Sequence, residues 1–324
     1  MTIKPNYDLM QYKTVGNSGL KLPLISLGLW HNFGDAADPS VMRDIILSAF
    51  NGGVTHFDLA NNYGPIAGAA EQNFGKILKN DLITHRDELI ISTKAGYYMW
   101  QGPYGDGGSK KYLVASLDQS LARMGLDYVD IFYHHRRDTQ TPIAETAAAL
   151  DLIVRQGKAL YIGISNYNAA DTRAIYNEFK RLNTPFIIHQ PCYNLLNRGI
   201  ESGLTDALDE LGLGCIPFSP LAQGILTDRY LRGIPVDSRV NTSNFLPMER
   251  VSEHSGKVVK LAALAKARGV TTAQLALLWL LSNKTVTSVI VGASRLSQLD
   301  ENLASARLAP LTDSEKKAIN AIFA

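Results

Sequence analysis

Eight short apolar runs, each followed by a stretch with helical periodicity, recur from one end of the sequence to the other, and few folds accommodate that alternation. The runs cover residues 22–29 (LPLISLGL), 55–60 (THFDLA), 88–94 (ELIISTK) and 128–135 (YVDIFYHH). They continue with residues 159–166 (ALYIGISN), 186–191 (FIIHQP), 214–219 (GCIPFS) and 288–294 (SVIVGAS). Helical spacing follows over residues 40–51, 69–78, 112–124 and 143–156, and again where Val258, Leu261, Ala262 and Ala265 stand at i, i+3, i+4 and i+7. Strands that alternate with helices of this length pair in parallel through right-handed crossovers, and strands buried on both faces read as nearly continuous apolar runs. Eight such units close into a (β/α)8 TIM barrel, an α/β fold that holds a chain of 324 residues as one domain spanning residues 1–324.

Three features decorate the plan. Residues 12–23 carry Gly-Asn-Ser-Gly between two extended pieces and read as an N-terminal β-hairpin, placed across the N-terminal mouth of the barrel as a plug against water. Residues 223–255, after the seventh strand, form a long loop rich in Gly, Pro, Asn and Arg, and a loop of that length in a compact domain is usually functional. Residues 312–323 begin with Thr312 and have Glu315 three positions on, the pattern of a capped helix.

Composition narrows the function classes. The formal charge is +2, from 32 basic and 30 acidic residues, with no clustered basic stripe of the kind that nucleic-acid binding needs. No apolar stretch approaches the roughly 18 residues of a membrane span, and the N-terminus lacks the apolar core of a signal peptide. The two cysteines, Cys192 and Cys215, have no metal-ligand spacing. A reduced cytoplasmic protein with no metal, membrane or nucleic-acid partner is the expectation.

In barrels of this kind chemistry sits at the C-terminal ends of the strands. Those ends carry Asp58, Lys94, His135, Asn166, Gln190, Ser219 and Ser294. Taken singly they are ordinary: Asp58 as a turn cap, Lys94 as a snorkelling surface lysine, His135 as a satisfied core histidine, Tyr63 as a turn residue. Together, a buried acid, lysine and histidine from strands two, three and four are costly unless they pair. Reducing a carbonyl needs hydride on carbon and a proton on oxygen. A phenol with an ordinary pKa near 10 is a poor donor at neutrality, and a lysine cation beside it would lower that value. An aspartate would hold the lysine charged, and a neutral imidazole would orient the carbonyl.

These residues resemble the aldo-keto reductase superfamily over essentially the whole chain. The stretches that carry the likeness are GGVTHFDLANNYG (residues 52–64), STKAG (92–96), VDIFYHHR (129–136), GKALYIGISNY (157–167), PFSPLAQGILTDRY (217–230) and SVIVGASRLSQLDEN (288–302). AGYYMWQGPYGDGGSKKYL (95–113) and IHQPCYNLLNR (188–198) are similar to a subgroup containing bacterial L-glyceraldehyde 3-phosphate reductases and potassium-channel β-subunits. The resemblance implies a catalytic tetrad of Asp58, Tyr63, Lys94 and His135. It chooses His135 over His134 because Asp130 stands five positions before His135, the spacing of the family.

The resemblance also implies an NADP(H) site. Ser165, Asn166 and Gln190 fall on the carboxamide and Phe218 on the nicotinamide ring, where an aromatic face suits a flat heterocycle. Ser219, Leu221 and Gln223 line the pyrophosphate path, with Arg229 and Arg239 reaching it from the long loop. Gly292, Ser294, Gln298, Glu301 and Asn302 lie along the adenosine, Trp30 borders the pocket, and Asp58 counts among the cofactor contacts as well. Arg295 is the candidate for a 2′-phosphate, against a plain helix-surface arginine. No G-x-G-x-x-G follows a strand, so a Rossmann site is not expected. The expected partners are a small aldehyde substrate and further copies of the chain in a homo-oligomer. The competing reading is a cofactor-sensing β-subunit-like partner protein with weak reductase activity. The basic pairs Lys110-Lys111 and Arg136-Arg137 are candidates for attracting an anionic substrate, against solvated surface charge.

Overall fold

The structure of the chain, a computed structural model, describes residues 2–236, 238–242 and 245–324. Strands β1 (Tyr12–Thr14) and β2 (Lys21–Pro23) form an antiparallel hairpin with Lys13 opposite Leu22. The remaining strands are β3 (Ile25–Gly28), β4 (His56–Asp58), β5 (Ile90–Ala95), β6 (Val129–His134), β7 (Ala159–Ser165), β8 (Phe186–Gln190), β9 (Gly214–Cys215) and β10 (Val289–Val291). They pair in parallel in the order β10-β3-β4-β5-β6-β7-β8-β9, with helices between consecutive strands. The two ends of this sheet meet. Thr287 N–H donates to Cys215 O (2.8 Å) and Ile290 N–H to Pro217 O (2.9 Å), so the eight strands curl into a (β/α)8 barrel.

The run at residues 22–29 divides between two sheets. Leu22 and Pro23 belong to the hairpin, held there as Leu24 N–H bonds Gln11 O (2.9 Å), and only Ile25–Gly28 enters the barrel. The hairpin seats on the barrel floor: Val15 and Leu22 pack with Ile131 and Tyr133 of β6, Ile188 of β8, Ile216 and Ile290 of β10, which come from opposite walls. Each of these fully buried aliphatic side chains contributes about 1.5–3 kcal/mol. A second, larger apolar layer lies between the strands and the surrounding helices. No helix among the described residues is long and apolar enough to cross a membrane.

The long loop after β9 ends earlier than residue 255. A helix starts at Met248 and runs to Arg268, but of its first three turns only Val251 and Val258 are buried, which is why apolar spacing does not announce it. The loop proper holds short turns at Ala222–Gly224 and Asp228–Tyr230 and a helix at Arg239–Thr242. The helix Thr272–Leu281 is apolar all round and so has no readable stripe, although its Thr271–Gln274 capping box is visible in the sequence. The C-terminal helix Asp313–Phe323 is capped by Thr312 and Glu315 as expected.

Gly16 docks the hairpin. Its φ is +50°, and a Cβ there would lie 2.1 Å from Gly212 O, while the next residue, Asn17, donates its N–H to that same carbonyl at 2.8 Å. Gly16→Ala is therefore expected to lower unfolding stability by about 2 kcal/mol or more, read from urea denaturation. An unchanged midpoint would mean that the hairpin does not bear on the floor.

Candidate active site

Consecutive strands deliver the polar residues to one mouth. Asp58 ends β4, Lys94 lies in β5 one residue from its end, and His135 directly follows β6. Tyr63 comes from the loop after β4, a tight turn closed by Tyr63 N–H to Ala60 O (3.1 Å) and by Gly64 at φ +105°, where a Cβ would press on Ile66 O and Ala69. Lys94 Nζ donates to Asp58 Oδ2 and to Leu59 O, both at 2.6 Å, and lies 3.4 Å from Tyr63 Oη. The Tyr63 and His135 rings meet edge to face at 5.8 Å between centroids. Asp58, Lys94 and His135 are buried and Tyr63 is partly so.

Burial governs the protonation of this group. Desolvation, reinforced by the charges of Asp58 and Tyr97, holds the Tyr63 phenol well above its usual range. The expectation of an acidified phenol is thus corrected for the resting site. Lys94 is ion-paired with Asp58 at 2.6 Å. Desolvation also lowers Lys94, opposed by Asp58. His135 is pushed well below the usual histidine range by burial and by the nearby Lys94 charge, so it is neutral at physiological pH.

Around this centre lie the residues expected to take a dinucleotide. Ser165 Oγ donates to Gln190 O (2.7 Å), Asn166 Nδ2 to His135 O (3.1 Å), and Gln190 Nε2 to Asp58 Oδ1 (3.1 Å), which ties the carboxamide set to the acid–lysine pair. Half-buried Phe218 continues the β8–β9 ladder through its N–H to Pro191 O (3.0 Å). Asn166, Ser219, Ala222 and Gln223 all have left-handed backbones, with φ from +47° to +61°, although none is glycine. Such strain gathers at sites where backbone N–H groups must face a ligand. Leu221 lies within this same loop, and the buried Gln223 Oε1 has no protein partner.

The adenosine candidates follow β10. Gly292 is exposed with open space beside it, and Ser294 bonds through N–H and Oγ to Gln298 Oε1 at 3.1 and 2.9 Å. Arg295 precedes the helix Leu296–Ala304, which carries Glu301 and the buried Asn302. From the long loop, the Arg239 guanidinium lies 5.9 Å from the Trp30 ring centroid, Phe245 packs on Trp30 at 5.3 Å, and Trp30 stands 6.3 Å from Tyr63. Arg229 sits in the turn Asp228–Tyr230 of that loop.

Other candidates are committed elsewhere. Asp130 pairs with Arg86 at 2.9 Å and accepts from Ile91 N–H at 2.8 Å, fastening β6 to β5 away from the mouth. His134 points away from His135: its Nδ1 lies 2.6 Å from Tyr167 Oη and its ring crowds Gly108, so it braces the loop after β5. Arg137 binds Asp171, Asp138 O and Thr141 O. Arg136 pairs with Asp106 at 2.7 Å and stacks on Tyr97, which in turn touches His135 at 4.7 Å, so it borders the mouth, while Lys111 Nζ lies over the Tyr104 ring at 5.4 Å.

Several residues of the site were missed in the sequence. Ser92 Oγ donates to Asp58 Oδ1 at 2.8 Å, and buried His56 lies 3.0 Å from Ser92 Oγ. The signal was available: His56 and Asp58, like Ser92 and Lys94, are two residues apart on a strand and share its inner face. Buried Asn194, which donates to Ser219 O at 2.9 Å and supports the strained turn, gave no such signal.

A model of the aldo/keto reductase family matches residues 24–324. The L-glyceraldehyde 3-phosphate reductase of Escherichia coli K12 is 54% identical over 303 residues, covering 92% of this chain and 88% of that protein. Probable voltage-gated potassium channel β-subunits are 37% identical in Oryza sativa subsp. japonica (94% of both chains) and 38% identical in Arabidopsis thaliana (93% of both chains).

The buried histidines make acid sensitivity testable. Burial holds His56, His134 and His189 near 4, against about 6.5 in the unfolded chain. Between those values the unfolded chain binds more protons than the folded one, so stability falls as pH drops. Urea unfolding is expected to show a loss on the order of 3 kcal/mol per histidine between about pH 6.5 and 4. A flat stability profile across that window would contradict the neutral burial of these rings.

Proposed function

Because the chain belongs to the aldo/keto reductase family, we propose that it reduces small aldehydes to alcohols with NADPH, Tyr63 giving the proton to the carbonyl oxygen. The observation that carries this reading is buried Lys94 Nζ, 2.6 Å from Asp58 and 3.4 Å from Tyr63 Oη. The dinucleotide fits the residues present: an unpartnered buried Gln223 carbonyl, a run of left-handed backbone beside it, and an aromatic face at Phe218. Ser165, Asn166 and Gln190 would hold its carboxamide, Ser219, Leu221, Gln223, Arg229 and Arg239 its pyrophosphate, and Gly292, Ser294, Gln298, Glu301 and Asn302 its adenosine, with Trp30 walling the pocket. When bound it supplies hydride to the carbonyl carbon.

The chain's own part is proton handling. Tyr63 is held protonated by burial, so it reaches the carbonyl loaded with the proton to be given. As that proton leaves, charge builds on Oη 3.4 Å from Lys94, an attraction that strengthens as the phenolate forms and so favours the transition state over the ground state. Asp58 keeps Lys94 in place, and the neutral His135 orients the carbonyl against Tyr63. The name of the E. coli relative supports L-glyceraldehyde 3-phosphate as a substrate, with methylglyoxal as the small unphosphorylated alternative. Arg136, stacked on Tyr97 at the rim, is the group placed to draw a phosphorylated aldehyde. The plant relatives' names favour a second reading as a channel-partner subunit, but the completeness of the tetrad favours turnover.

Two substitutions test the proposal. Tyr63→Phe is expected to lower kcat by about 10³-fold while NADPH binding, followed by quenching of protein fluorescence, is retained. A variant that reduces glyceraldehyde 3-phosphate and methylglyoxal at the original rate would exclude Tyr63 as donor. Arg295→Ala is expected to raise KM for NADPH about tenfold and leave NADH nearly unaffected, through loss of one charge-assisted contact. Equal effects on both would remove Arg295 from the 2′-phosphate.

A further inference from the structure

The barrel interior beneath the mouth holds a line of polar groups that the reductase reading leaves unused. Ser288 Oγ lies 2.7 Å from Ser26 Oγ, Ser26 Oγ 2.9 Å from His56 Nδ1, His56 Nε2 3.0 Å from Ser92 Oγ, and Ser92 Oγ 2.8 Å from Asp58 Oδ1. All five residues are buried. They come from four adjacent elements, β3, β4, β5 and the segment entering β10, so the line crosses the inside of the wall and ends under the acid–lysine pair.

Counting protons fixes its direction. A carboxylate only accepts, so Ser92 gives its one hydroxyl proton to Asp58 and must accept from His56 Nε2–H. For a neutral ring, Nδ1 then accepts from Ser26, and Ser26, its proton committed, accepts from Ser288. Ser288 has a competing acceptor in Leu24 O, but at 3.4 Å it is the poorer one. A charged His56 would reverse the far half, with Nδ1–H donating to Ser26, Ser26 to Ser288, and Ser288 to Leu24 O. Burial decides between the two: it pushes His56 down to about 4, and the ring is neutral at physiological pH. Every donor therefore points toward Asp58.

We infer that His56 is a positioning residue of the active site, which acts through Ser92 to fix the Asp58 carboxylate, and through it Lys94, beneath Tyr63. Donors aligned head to tail in a low-dielectric interior polarise one another, so the last bond in the line is stronger than an isolated serine could make it. The bond also fixes which carboxylate oxygen faces Lys94: Oδ1 is taken by Ser92 and Gln190, leaving Oδ2 for Nζ. The inference rests on the proposed reduction for its kinetic consequence, but not for its geometry.

Two readouts on the full-length protein separate those dependencies. Nitrogen NMR of histidine-labelled protein at neutral pH, with the His56 signals assigned by their loss in His56→Gln, is expected to show a neutral ring protonated on Nε2. In kinetics, His56→Leu is expected to lower kcat about tenfold with NADPH affinity unchanged, while His56→Gln, whose amide can still donate toward Ser92, regains most of that loss. A ring protonated on Nδ1, or on both nitrogens, overturns the inference. So does His56→Gln as impaired as His56→Leu, or a kcat that neither variant changes. Should His56→Leu not fold, the ring's tautomer and the His56→Gln rate still decide. If the unmodified protein reduces no carbonyl, the proposed function fails by itself, and the tautomer alone judges the line of donors.

Discussion

A lysine and an aspartate with almost no exposure to water, 2.6 Å apart, set the terms for the rest of this barrel. Taking either charge from water costs several kcal/mol, and the mutual attraction offsets that only when the remaining donors and acceptors are also met. Here they are. Lys94 has a second acceptor in Leu59 O, and Asp58 has donors in Ser92 and Gln190. Those partners come from β5, β8 and the residue directly after β4, so the pair demands that three segments keep their register within a fraction of an ångström. Asp58 stands level with Ser92 in the β4–β5 ladder, and a one-residue slip would turn the lysine out of the barrel.

Burial keeps the phenol from being acidic in the resting site, and the Asp58 charge adds to the effect. Sequence reasoning had the aspartate paired with Lys94, but nothing in STK says how far burial raises the phenol beside it. The broader plan was readable, since continuous apolar runs of four to eight residues alternating with helical spacing admit few architectures. Some strand ends were readable too: Asp58 and Gln190 close β4 and β8, and Asn166 directly follows β7.

What escaped were features whose signal is one residue deep. His56 and Ser92 sit inside apolar runs, where a single polar residue is as consistent with a flaw in the pattern as with a hydrogen-bonded line. Only the register of neighbouring strands shows that they meet. The helix Thr272–Leu281 escaped for the opposite reason, because a helix buried all round has no polar face to reveal its period. The start of the helix Met248–Arg268 was lost because most of its early turns face solvent. At the other extreme, the left-handed backbones of Asn166, Ser219, Ala222 and Gln223 have no compositional mark, since the residues are not the glycines such angles favour. Each costs on the order of 1 kcal/mol and persists because its surroundings hold it, as Asn194 holds the carbonyl of Ser219.

The two ends of the barrel are connected by dielectric as much as by covalent structure. Val15 and Leu22 of the hairpin close the floor, and Ile131, Ile188, Ile216 and Ile290 surround them with hydrocarbon. A hydrogen bond in such surroundings is worth more than one in water, and an unmet donor costs more. The line from Ser288 to Asp58 lies in that protected interior, where each of its members has a partner and no water is needed to complete it. Were the floor open, water would compete for Ser26 and Ser288, and the preference for donors that point toward the carboxylate would weaken. A plug far from the mouth thereby shields the hydrogen-bonded line that ends at Asp58, beyond the apolar area it buries.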